Sequence, residues 1–225
     1  MKMTLLLTFF CLFGAVLIAQ EDIEKLPVKD LNKLKEGKVI TNKRRKDGKI
    51  IVVAQGIVVS DSRTIYDVIM NCNEHTDFMP NFKACESIYE YGDSAYGKTV
   101  IDPPMTKKDI AFFMFSKYMY SKRYSKISWK MDTSQVHPKY IADTFGFWEI
   151  QEIEADEYLL SFYSNSDFNF HWTVNWLLEP IFKMFMKNGL PNLVKNVRSR
   201  VESEQSWVMK DPHPSPKIAL RNNGN

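Results

Sequence analysis

The chain has 225 residues, of which 44% are hydrophobic, 13% aromatic and 25% charged. Nine glycines and ten prolines exclude a collagen-like or linker-rich chain, and the aromatic content argues against disorder. A net charge of +3 lacks the large clustered basic excess of a nucleic-acid-binding domain.

Residues 1–20, MKMTLLLTFFCLFGAVLIAQ, open on Lys2 and continue as an apolar run from Leu5 to Ala19. That run suits a signal-peptide core and falls short of the roughly 20 residues that span a bilayer. Cleavage after Ala19 or Gln20 is expected, hence a secreted or periplasmic protein; an uncleaved N-terminal anchor is the alternative. Phe10 before Cys11 disfavours a lipoprotein site. No N-x-S/T sequon occurs, which favours a bacterial periplasm.

Residues 21–36 read as a polar segment, and the ligand-binding domain is expected over 37–208. Lys43-Arg44-Arg45-Lys46-Asp47-Gly48-Lys49 reads as an exposed basic hairpin with its turn at Asp47-Gly48. Solvation is its first role and contact with anionic headgroups its second. Ile50–Val59 is the first strong strand, apolar on both faces. Ser60-Asp61-Ser62 offers caps for a helix with Ile65, Val68 and Ile69 at helical spacing. A second short helix over Asn73–Met79 ends at Pro80. Residues 84–91 and 95–101 form a hairpin around Gly92-Asp93, and Asp109–Tyr120 a long aromatic strand. Over 124–131 the period is two, with Ile127, Trp129 and Met131 on one face. Tyr140–Ile153 and Tyr158–Ser164 form the last hairpin, with Tyr158, Leu160 and Phe162 on one face. Trp172–Lys187 is a dense apolar helical stretch, with a stop at Gly189. Pro191 then opens a helix whose buried stripe is Leu190, Val194, Val197 and Val201. Residues 209–225 read as a disordered tail.

This order is an α+β arrangement: a curved antiparallel β-sheet wrapped around a long C-terminal α-helix, with an internal hydrophobic cavity. Motifs for the common catalytic sites are missing: no GxSxG, HExxH, P-loop or GxGxxG occurs. His75 lies beside Glu74 and Asp77, but neighbours on one helix do not face one another, so no metal site is read there. His137, His171 and His213 read as exposed or locally hydrogen-bonded. Cys72 and Cys85 are thirteen positions apart; a disulfide and two buried free thiols are both open.

Asp109 and Asp143 fall inside apolar strands. Either turns outward to solvent, or orients the polar end of a ligand inside. The remaining signal is apolar surplus: 15 Phe, 10 Tyr, 5 Trp and 11 Met. The expected lining of the cavity is Phe112, Met114, Trp129, Phe145, Phe147, Phe162, Val194 and Val197, with Asp109 and Asp143 as polar anchors.

LKEGKVIT, QGIVVSDSRTIYDVIMNCNEHTDFMP, PPMTKKDIAFFMF and HWTVNWLLEPIFKMFMKNGLPNLVKNVRSRVES together resemble the START-like helix-grip superfamily. In START domains a Pro-rich turn and a basic-Asp pair, here Lys108-Asp109, open a central strand, and a helix beginning Leu-Pro, here Leu190-Pro191, covers the cavity. The resemblance implies a deep cavity for one lipid, sterol, polyketide or similar molecule. Opening near Gly189–Pro191 or Asn73–Pro80 would admit it. The expected partner is thus a hydrophobic small molecule bound without a cofactor, by a monomer making transient membrane contact. Two rival readings are a cyclase/dehydrase-type enzyme, with shifted ionisable groups facing the cavity, and a structural protein whose interior is filled by its own side chains.

Overall fold

A computed structural model describes residues 28–102, 109–135, 141–167 and 189–204. The expected leader (1–20), the 103–108 turn, the Trp172–Lys187 stretch, the tail (209–225), His137, His171 and His213 lie outside the described residues. The described chain runs α1 (Val28–Lys35), β1 (Ile40–Lys46), β2 (Lys49–Val59), α2 (Ser62–Met70), a 3-10 turn (Cys72–Glu74) and α3 (His75–Phe78). It continues with β3 (Phe82–Tyr91), β4 (Ser94–Ile101), β5 (Ile110–Met119), β6 (Tyr124–Met131), β7 (Asp143–Glu154) and β8 (Glu157–Asp167). Residues 189–204 are helical, here α4.

The eight strands form one sheet in the order β1-β2-β8-β7-β6-β5-β4-β3, antiparallel at every pairing. The β1–β2 turn is two residues long because Asp47 and Gly48 both take positive φ, 51° and 79°, which matches the twist of the flanking strands. Asp61 caps α2: its Oδ1 accepts from the Thr64 N–H at 2.9 Å. The buried stripe of α2 includes Ile65, Val68 and Ile69. No described helix is long and apolar enough to cross a membrane.

Cross-strand partners share a face, so the register sorts the sheet into two sides. Ala54, Trp148, Leu160 and Ile127 lie on the concave side, in one core cluster with Ile65 and Ile69 of α2 and with Leu190, Leu193, Val194, Val197 and Val201 of α4. The opposite side carries a separate cluster of Ile51, Phe147 and Tyr163. The sheet therefore grips α4 as the sequence indicates, with two differences. Val28–Lys35 forms a helix with Leu34 fully buried, within a segment that reads only as polar. Gly189 and Leu190 are already helical, so α4 includes residues ahead of the expected opening at Pro191.

Contact between β2 and α4 depends on a missing side chain. A Cβ on Gly56 would stand 2.8 Å from Cγ1 of Val194 and 3.4 Å from Cγ2 of Val39. Gly56→Ala is expected to destabilise by about 1–3 kcal/mol through overpacking. Adding Val194→Ala should recover part of that loss in a thermal-unfolding comparison.

Candidate functional site

The concave face of β5, β6 and β8 carries the apolar side chains expected to line a cavity. Phe112 and Met131 are buried with Ile110 and Ile141 in a cluster of their own, and Met114 packs against it half-buried. Val194 and Val197 are buried in the main cluster with α4. Trp129 and Phe162 belong to its margin: their rings stack at 5.5 Å, and Phe162 meets Trp148 edge-on at 4.9 Å. Trp129 can lie flat there because Gly146, its cross-strand partner, has no Cβ to strike the indole or the Tyr163 carbonyl. The interior is thus divided. Met114, Trp129 and Phe162 face inward between the clusters without being fully buried.

Inward polar groups near this surface are hydroxyls. Thr144 and Ser166 lie 2.9 Å apart, and Ser164 and Ser166 3.2 Å. Thr99 is buried opposite Phe112. Such groups can donate to or accept from a ligand's polar end without the desolvation cost of a charge. Ser164 and Ser166 continue the period of two set by Tyr158, Leu160 and Phe162. Tracing that face past its apolar positions finds them.

Four expected site residues lie elsewhere. Asp109 precedes β5, is exposed, and pairs with Lys83 at 2.7 Å. Asp143, Phe145 and Phe147 are the odd-numbered positions of β7, on the side away from α4. Phe147 stacks on Tyr163 at 4.7 Å with the Lys126 ammonium 4.0 Å above its ring. Asp143 Oδ1 is buried with no hydrogen-bond partner among the described residues. The physical reason is that β7 is covered on both sides, so its continuous apolar run does not show which residues face inward. On the same side the Tyr124 hydroxyl donates to Glu149 at 2.5 Å. Burial first, and then Glu149, hold this phenol well above its ordinary pKa.

One wall near the concave face is stapled. A disulfide joins Cys72 to Cys85 of β3, with Cα atoms 5.4 Å apart, so the first of the two cysteine readings holds. The neighbouring His75 ring sits edge-on to Phe78 and Phe82 at 5.8 and 5.6 Å. Its Nε2 lies 2.8 Å from the Ile69 carbonyl oxygen, and its Nδ1 is buried without a partner among the described residues. Asn196 of α4 donates to the Phe78 carbonyl at 2.7 Å, and Arg200 bridges Glu74 to Glu204.

Burial holds the His75 pKa below its ordinary value, against the smaller opposing effects of the Ile69 carbonyl and Glu74. The unfolded chain then binds the His75 proton more readily than the folded one. This residue's contribution is present above the unfolded value near 6.5 and is lost as pH falls through the lowered folded value. Its slope cannot exceed about 1.4 kcal/mol per pH unit. Urea unfolding between pH 7.5 and 5 is expected to show a shallower loss of stability in His75→Gln than in the unsubstituted chain.

A separate pocket of about 270 Å³ lies among Leu34, Gly37, Ile57, Val59, Arg198 and Glu202. Its volume is below the ~300–1,000 Å³ usual for ligand cavities.

No protein-family profile matches the chain, and no curated protein matches it in sequence. Solved structures do match in shape. A STAR-related lipid transfer protein from Xanthomonas axonopodis aligns at TM-score 0.56 and 13% identity, over 73% of this chain and 93% of that one. The Zhui aromatase/cyclase from Streptomyces sp. R1128 aligns at 0.58 and 11% identity, over 70% and 96%. Human StAR-related lipid transfer protein 5 aligns at 0.52 and 10% identity, over 79% and 93%. With the eight-stranded antiparallel sheet closed over α4, the chain has the START-like helix-grip fold.

Proposed function

We propose that this protein binds, and transfers, a lipid or other hydrophobic small molecule held between the concave face and α4. The carrying observation is the half-buried, inward-facing trio Met114, Trp129 and Phe162 between two separate core clusters. An interior closed by its own side chains would bury such residues fully. Flexible methionine beside flat aromatic rings suits an apolar ligand of variable shape. The hydroxyls of Thr144, Ser164 and Ser166 then fix its polar end. Lipid-transfer proteins among the structural neighbours support this reading.

A cyclase neighbour supports an enzyme acting on a hydrophobic substrate in the same space. Binding is favoured because Asp109 and Asp143, the carboxylates assigned to an inward role, lie away from it. A panel of fluorescent acyl chains, sterols and aromatic polyketides, titrated into delipidated full-length chain, tests the reading. Saturable one-to-one binding is expected from at least one class, and no binding across the panel overturns it.

Export of a monomer with residues 1–20 removed completes the proposal. The Cys72–Cys85 disulfide supports it, since such bonds persist in oxidising compartments. Transient contact with a membrane surface would use the exposed Tyr89 and Phe115 beside Tyr96, whose rings lie 5.2 and 4.8 Å from it. The mass of the mature chain from its own host decides the cleavage.

A further inference from the structure

Cys72, His75 and Cys85 present two sulfurs and one imidazole nitrogen, all within 4.8 Å of one another. The disulfide occupies both sulfurs. The imidazole is arranged differently from a merely buried ring. A carbonyl oxygen only accepts, so His75 Nε2 carries the proton and donates to Ile69 at 2.8 Å. That leaves a lone pair on Nδ1, buried and unpartnered among the described residues. A nitrogen whose ring partner donates to a backbone carbonyl is in the usual state of a metal-ligating histidine.

We propose that the dithiol form of this cluster is a three-ligand site for a thiophilic divalent cation of the zinc class. The ligands are Cys72 Sγ, Cys85 Sγ and His75 Nδ1, and water completes a tetrahedron. Ligand atoms around tetrahedral zinc stand on the order of 3.5–4 Å apart, given bonds of about 2.0–2.3 Å. The imidazole nitrogen has to close in by up to about 1 Å, and the two sulfurs to separate by about 2 Å, which breaking the S–S bond permits. Thr99 Oγ1, 3.9 Å from Cys85 Sγ, can donate to the resulting thiolate.

The chemistry balances with a dithiol as reductant. Its two thiols give two electrons and two protons to the Cys72–Cys85 bond and become a disulfide. The cation then displaces two protons, one from each cysteine, and His75 binds neutral. The newly made chain, before the bond closes, holds the same two thiols. Metal and disulfide are therefore alternative staples between the 3-10 turn and β3. The Glu74–Arg200 and Asn196–Phe78 contacts place that staple beside α4.

The test is titration of full-length chain with cobalt(II), then zinc(II) competition, in the disulfide form and after phosphine reduction. Reduced chain is expected to bind one cobalt with a thiolate charge-transfer band, and the disulfide form to show none. His75→Ala and the near-isosteric His75→Gln should keep the band and weaken affinity at least about tenfold. The Cys72→Ser/Cys85→Ser double variant should lose the band. Near-ultraviolet circular dichroism reports whether each form stays folded. Reduced chain without the band, His75 variants that bind as tightly as the parent, or loss of tertiary structure on reduction even with metal would each overturn the proposal.

Discussion

Val197→Asp is expected to abolish folding of the domain. Val197 has no solvent exposure and sits in the main cluster beneath the sheet. A carboxylate there would sit among the apolar Ile, Val, Leu, Ala, Met and aromatic side chains of that cluster, none of which can pair with it. An uncompensated buried charge costs about 3–5 kcal/mol or more. The whole stability of a domain is about 5–15 kcal/mol. Val197→Ala, which only leaves a small void, should cost about 1–3 kcal/mol. At about 2–4 °C per kcal/mol for a chain of this size, that variant remains measurable by thermal denaturation. Lys195→Asp on the exposed side of α4 should change little. Equal effects at 195 and 197 would contradict the placement of α4 inside the sheet.

Met114→Asp should leave the fold intact and weaken apolar ligand binding at least about tenfold, or 1.4 kcal/mol. Met114 faces inward but is only half-buried, so its substitution costs less stability than one at Val197. Covering a methionine side chain with ligand contributes about 1.5–3 kcal/mol, and an aspartate also sets a charge against the ligand. Met114→Leu conserves volume and should bind nearly normally. Phe115→Ser, one residue along and exposed on the other side, should leave affinity unchanged. Fluorescence titration with an acyl probe distinguishes the three.

The neighbouring positions 114 and 115 also show what sequence can carry. Where residues alternate, as in Ile127-Ser128-Trp129 and Tyr158 through Phe162, the inward face was readable, and Trp129 and Phe162 lie where that alternation puts them. Along β7 alternation disappears, because Phe145 and Phe147 are covered on one side while Trp148 and Ile150 are covered on the other. Pairing register, which is non-local, was needed to choose. Asp109 takes the outward of its two readings for a different reason: it stops just short of the strand, which begins at Ile110, and Lys83 on β3 holds it outside. The edge strand β1 is legible only as one arm of the basic hairpin turning at Asp47-Gly48, because its side chains are almost all exposed. Its backbone pairs with β2 without needing an apolar face. The disulfide was undecidable from spacing alone, since the 3-10 turn that aims Cys72 at β3 leaves no periodic trace.

Native mass spectrometry of the protein purified from its own host is the most direct measurement of the central claim. The unsubstituted chain is expected to carry one apolar molecule of lipid size, retained through gentle desolvation and absent from Met114→Asp. A chain that is always ligand-free, or a ligand equally abundant in Met114→Asp, would contradict a binding site between the concave face and α4.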